Sequence, residues 1–127
     1  MALSSGGERN LILNEIKEKL EQIDPNVFYG AVHSRMKETL WDYIVFNRKT
    51  LKPSTNRTGY TDVFSIHIIR ENFIPEGVEE EVIELLLSIP GMKLASNDGA
   101  YDYVTKPGTN TVVEMFSIDF IKPRKRD

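Results

Sequence analysis

The chain contains no cysteine, and only two of its 127 residues are histidine. The absence of cysteine excludes disulfides, thiolate catalysis and cysteine-based zinc sites. The sequence also lacks a run of ~20 apolar residues, the length that crosses a bilayer. Its first residues lack the basic start and the apolar segment of a signal peptide. We therefore expect a protein of a reducing cytosol that has no membrane partner.

A basic excess is missing too, since the net charge is −3, which argues against a dedicated nucleic-acid binder. The charges are nevertheless segregated along the chain. Residues 71–84 hold six glutamates and no base, residues 48–57 hold four bases and no acid, and residues 123–127 form a basic tail. Runs of this kind are most often solvated faces of a protein.

The residue patterns offer no catalytic site. A metal site built on His33 or His67 would need carboxylates to complete it, and His67 falls on the more polar side of a predicted strand. The strand carboxylates Asp42 and Glu114 lack the nearby lysine of a two-metal nuclease. The glycines match no phosphate-binding loop, and there is no nucleophile elbow. We expect no catalytic residue, no metal, no cofactor and no enzymatic activity.

Hydrophobic periodicity predicts two amphipathic helices. The first covers residues 8–23, where apolar residues recur at helical spacing between charged ones. The second covers residues 78–89 and carries Glu79, Glu80 and Glu81 in its first turn, where the helix dipole favours anions.

Strands are predicted where β-branched and aromatic residues concentrate or alternate with polar ones. They cover residues 27–32, 41–46, 61–71, 92–95, 100–104 and 111–121. The Asn-Asp-Gly sequence that precedes residue 100 is typical of a hairpin, so the fourth and fifth strands are expected to pair with each other.

The remaining segments are interpreted as connections. Residues 1–7 are a flexible lead, residues 33–39 are a connector, and residues 48–60 are a long polar loop. Together these elements predict a single α+β domain, residues 1–127. Its sheet is mixed or antiparallel, with about five to six strands and both helices packed on one face.

Glu114 interrupts the apolar face of the last predicted strand. A carboxylate in that position needs a partner or solvent. Two alternatives follow: exposure at the edge of the sheet, or a paired role in a subunit interface or a lumen.

Three segments are similar to those of a known family. They are residues 41–48 (WDYIVFNR), residues 70–77 (RENFIPEG) and residues 111–120 (TVVEMFSIDF). Over residues 8–124 the chain resembles the tail terminators, or tail-to-head joining proteins, of long-tailed phages and prophages of Gram-positive bacteria. The resemblance implies a structural virion protein that forms a hexameric ring at the head-proximal end of the tail tube, terminates tail growth and joins tail to head.

The resemblance also implies partners and a location. The partners are further copies of the chain, the major tail tube protein and a head completion or connector protein, with DNA only as cargo in the lumen. The protein would be located in the virion, at the head–tail interface, after assembly in the host cytoplasm. No catalytic residue is implied.

A ring built by head-to-tail contacts would bring one surface of a subunit against a different surface of the next. We therefore expect the glutamates of the second helix to face a basic segment of a neighbour. The candidate interface residues are Arg48, Lys49, Lys52, Arg57, Glu79, Glu80, Glu81 and Glu114. Two alternatives to a terminator remain open: another structural protein of the head–tail module, such as a head completion or minor tail protein, and an unrelated cytosolic α+β binding module.

Overall fold

A six-stranded mixed sheet with two helices forms the part of the chain that our computed structural model describes, residues 11–32, 41–55, 59–96 and 98–125. The helices are α1 (Leu11–Glu21) and α2 (Val78–Leu87). The strands are β1 (Val27–Tyr29), β2 (Tyr43–Pro53), β3 (Gly59–Glu71), β4 (Lys93–Leu94), β5 (Ala100–Thr105) and β6 (Val112–Lys125). The predicted α+β class and number of strands are confirmed.

The strand order is β1-β2-β3-β6, and both β4 and β5 pair with the far side of β6. The β1–β2 pair is parallel and every other pair is antiparallel. The longest ladder joins β3 to β6, from Gly59 opposite Lys125 to Glu71 opposite Val113. Strands β1 and β2 therefore lie on one side of this central pair, and β5 lies on the other.

Both helices pack on one face of the sheet, as predicted. Alternation along β3 places Phe64, Ile66 and Ile68 on that face, where each is at most 1% exposed. The helices cover them with side chains that are fully buried in the same cluster: Ile16, Leu20, Val82 and Leu86. Removing this apolar surface from water stabilises the layered arrangement, at about 25 cal/mol per Å².

The prediction of a long polar loop over residues 48–60 is wrong, because most of this segment is strand. Strand β2 continues to Pro53, which pairs with Tyr60 of β3, and the Ser54 N–H donates to the Gly59 carbonyl at 2.9 Å. All six side chains from residue 48 to residue 53 are exposed. The segment therefore lacks the apolar alternation that marks a strand in a sequence, and the backbone ladder to β3 holds it.

The hairpin predicted between the fourth and fifth strands is also wrong. Strands β4 and β5 run in the same direction along β6, with Leu94 opposite Phe120 and Ala100 opposite Ser117. Gly99 is required by packing and not by a turn. A Cβ atom at this position would lie 2.2 Å from the Phe116 ring. The true hairpin joins β5 to β6.

The ends of the elements differ from the predicted ones by a few residues. Strand β6 extends to Lys125, so residues 123–125 of the predicted basic tail belong to the sheet. The predicted lead (residues 1–7) and connector (residues 33–39) lie outside the described residues. In the described part of the chain, neither helix is long and apolar enough to span a membrane.

Candidate functional site

Strand β5 forms an exposed edge of the sheet. All six of its residues are exposed, and within the described part of the chain it pairs only with β6. Lys106 and Thr111 form a hydrogen-bonded pair at the turn, with the Lys106 N–H 2.9 Å from the Thr111 carbonyl. Hydrogen-bonded and non-bonded pairs alternate along an antiparallel ladder. The backbone N–H and C=O groups of Tyr101, Tyr103 and Thr105 therefore point away from β6.

Two tyrosines of this edge are tied to carboxylates of the same chain. The Tyr101 hydroxyl donates to Oε2 of Glu79 at 2.5 Å, and the Tyr103 hydroxyl donates to Oε2 of Glu114 at 2.9 Å. The bond to Glu79 raises the pKa of Tyr101 to about 12, and the bond to Glu114 raises the pKa of Tyr103. Both hydroxyls are thus protonated donors at neutral pH. The rings stay accessible, at 49% for Tyr101 and 57% for Tyr103.

The outward backbone of β5 is partly occupied by its own side chain. The Tyr103 N–H, one of the groups that point away from β6, donates to Oδ1 of Asp102 at 2.9 Å. The Asp102 carboxylate consequently lies at the edge itself. Charged side chains at an edge discourage uncontrolled pairing with another strand.

The predicted acidic residues fall around this edge. Glu79, Glu80 and Glu81 occupy the first turn of α2, as predicted, and Glu79 accepts the hydrogen bond from Tyr101 of β5. Glu114 is half-buried and paired within its own chain, so it is not simply exposed at the edge of the sheet, and its role in a subunit interface or lumen stays a prediction. Its Oε1 accepts the N–H of the buried Ile74 at 2.7 Å, while its Oε2 accepts from Tyr103.

The predicted basic residues lie toward the opposite edge of the sheet from β5. Arg48, Lys49 and Lys52 are exposed on the outer half of β2 (residues 48–53), beyond the part that pairs with β1. Nζ of Lys49 lies 2.6 Å from Oδ2 of Asp119, so this lysine already has a partner. Arg57 lies outside the described residues. Strands β3 and β6 separate the two sets, so one subunit does not bring its acidic and basic candidates together.

A polar cluster on the face away from the helices was not predicted. Ser65 donates to Oδ1 of Asp119 at 2.7 Å, and Nδ1 of His67 lies 2.7 Å from Oγ of Ser117. These residues and Lys49 line an open cleft of about 410 Å³. The signal that could have revealed them is the cross-strand register, which sets Ser65 opposite Asp119 and His67 opposite Ser117.

The electrostatics of this cluster follow from burial and mutual pairing. Burial lowers the pKa of His67, with Asp119 acting in the opposite direction and Lys49 in the same one. Burial alone would raise the pKa of Asp119, but hydrogen bonds from Lys49 and Ser65 outweigh it and lower that pKa. The groups bond to one another across β2, β3 and β6, so the cluster links these three strands.

No protein-family model matches the chain, and no curated protein matches it in sequence. Solved structures do match it. One of them is similar over 99% of this chain and 99% of its own, with a TM-score of 0.50 and 12% sequence identity. At that identity the similarity shows the fold alone.

Proposed function

We propose that the protein is a structural virion protein, a tail terminator that forms a closed ring at the head-proximal end of a phage tail tube. The ring stops tube growth and joins tail to head. The observation that carries this proposal is the pair of exposed, oppositely charged edges on opposite sides of one sheet. The resemblance of three sequence segments to tail terminators supports the same function.

Two different surfaces on opposite sides of a subunit favour head-to-tail association. Such heterologous contacts generate a ring when the rotation between subunits closes. The acidic edge is β5 with Asp102 and the neighbouring Glu79 and Glu114, and the basic edge is the outer half of β2. Contact between like edges would place charges of one sign together, which disfavours a twofold dimer.

Exposed apolar side chains beside β5 could supply the affinity of such contacts. Phe73 is 66% exposed, and it follows Asn72, whose N–H donates to the Val112 carbonyl at 2.7 Å. Val104 of β5 and Val112 of β6 are exposed as well. Aromatic and apolar residues are enriched in interface cores, whereas exposed ion pairs contribute only about 0–1 kcal/mol each. Charge would then set the orientation of the subunits.

The proposed ring has six copies and contacts two other proteins. Its partners are the major tail tube protein on one side and a head completion or connector protein on the other, with DNA as cargo in the lumen. It needs no cofactor and performs no catalysis. It is assembled in the host cytoplasm and remains in the virion.

Deletion of the gene from the phage or prophage that encodes it tests this function. Electron microscopy of the lysate should show overlong tails of irregular length that are not attached to heads, and the wild-type gene supplied on a plasmid should restore normal particles. Tails of normal length that lack heads would indicate a head completion protein instead. Normal particles in the absence of the gene would contradict any essential role in the virion.

A further inference from the structure

The two exposed edges have the same length and opposite charges. The outer half of β2 pairs with β3 on one side, β5 pairs with β6 on one side, and within the described residues no strand covers the other side of either. Each exposed segment has six residues, or about 20 Å of strand. Lys52 is exposed on the first edge, and the Asp102 carboxylate lies on the second.

Both edges have features that prevent a continuous backbone ladder with a further strand. In β2 the register shifts between Arg48 and Thr50, and Pro53 has no N–H to donate. In β5 the Asp102 carboxylate already accepts the outward Tyr103 N–H. Bulges, prolines and charged side chains are the devices that keep edge strands from adding further strands.

Side chains, in contrast, are available on both edges. Leu51 is 48% exposed beside Lys52, and Tyr103 is 57% exposed beside Asp102. An apolar contact flanked by an opposite-charge pair is the arrangement of a small interface core with a polar rim. Lys49 is a poor candidate for this pair because its ammonium group is bonded to Asp119.

We infer that the outer half of β2 of one copy packs against β5 of the next copy through side chains, with Leu51 against Tyr103 and Lys52 against Asp102, and without a backbone ladder. This inference rests on the proposed ring and names the contact that closes it. It also gives the edge-protecting features a role: they block open-ended strand addition while the side chains specify one neighbour.

A charge-swap experiment tests the pairing. The mass of the full chain is measured by sedimentation, alone and with the major tail tube protein, for wild type, Lys52→Glu, Asp102→Lys and the double variant. Each single change should raise the concentration needed for assembly by roughly fivefold or more, the equivalent of about 1 kcal/mol per contact. The double variant should recover most of the loss. Glu18→Lys on the exposed side of α1 replaces an acid with lysine, as Asp102→Lys does. It should have no effect on assembly.

A proline substitution tests the absence of a ladder. The N–H of Thr105 points away from β6, so Thr105→Pro removes an outward donor and leaves the bonds to β6 in place. Assembly should persist in Thr105→Pro and weaken in Leu51→Asp. Circular dichroism checks that each variant is folded.

The outcomes separate this inference from the proposed function. If wild type forms rings and the charge variants assemble equally well, the pairing is wrong and the ring stands on another surface. If Thr105→Pro abolishes assembly in a folded chain, a backbone ladder holds the subunits instead. If wild type forms no closed oligomer under either condition, both the pairing and the ring are wrong.

Discussion

The hydroxyl of Tyr103 donates to one oxygen of Glu114, and the other oxygen of Glu114 accepts the N–H of Ile74. This single carboxylate therefore ties the exposed strand β5 to the segment that leads into α2. Because Glu114 lies beside β5, this link helps to fix the shape of the acidic edge.

We expect Glu114→Ala to lower the free energy of unfolding by about 1–3 kcal/mol, because it leaves the buried Ile74 N–H without an acceptor. Tyr103→Phe removes only an exposed hydroxyl and should cost less than Glu114→Ala. Urea denaturation of the two variants measures both values. Equal costs would show that the bond to Ile74 contributes nothing.

A buried ion pair joins the turn that follows α1 to β3. Nη2 of Arg70 lies 2.8 Å from Oδ2 of Asp24, and both side chains are at most 13% exposed. We expect Asp24→Ala to destabilise the fold by about 3–5 kcal/mol, since it leaves a buried guanidinium without its counter-ion. The more exposed pair of Asp62 and Arg124 is the control, and Asp62→Ala should cost about 0–1 kcal/mol. If urea denaturation gave similar losses of stability for Asp24→Ala and Asp62→Ala, the pair of Asp24 and Arg70 would not act as a buried ion pair.

Gly99 has room for no side chain. A Cβ atom would overlap the Phe116 ring, so Gly99→Ala should destabilise by about 1–3 kcal/mol through overpacking. Phe116→Leu in the same chain should relieve part of this cost, which a double-mutant cycle measures as a coupling energy. Gly108, at φ +76 with nothing near its Cβ position, is the control: Gly108→Ala should show no coupling to Phe116. Additive effects of Gly99→Ala and Phe116→Leu would be inconsistent with the overlap.

The pH dependence of stability should carry a contribution from His67. Burial lowers its pKa in the folded chain, below the value of about 6.5 in the unfolded chain. Between these two pKa values the unfolded state binds more protons, so stability should fall as the pH drops below about 6.5. The lowered pKa of Asp119 acts in a separate window, below about pH 4.

NMR titration of the two histidines, assigned with His33→Gln, measures the pKa of His67 directly. His67→Gln should flatten the stability profile just below about pH 6.5. A pKa of His67 at or above 6.5 would show that Asp119 outweighs burial.

The sequence predicts those parts of the fold that apolar periodicity controls. Phe64 and Ile66 alternate with Ser65 and His67 because the helices bury one face of β3. The sequence therefore predicts both the strand and the face that it buries. The outer half of β2 carries no such pattern, since its stability comes from backbone pairing with β3, which no side chain reports.

The candidate site depends still more on tertiary arrangement. Gly99 reads as a turn residue because its contact with the Phe116 ring, 17 positions further along the chain, leaves no local signal. The bond between Glu79 and Tyr101 requires the placement of α2 over the sheet. The charge runs include Lys52 and Glu79 but not Asp102, and the sequence alone does not show that the two edges lie on opposite sides of one sheet.

A closed ring that caps the tail tube is tested most directly by the length of tubes assembled in its presence. The purified chain is added to polymerising major tail tube protein, and tube lengths are measured by electron microscopy. Mean length should fall as the concentration of the chain rises, with a ring of six copies at one end of each tube. An unchanged length distribution, with no protein bound at the tube ends, would contradict the proposal.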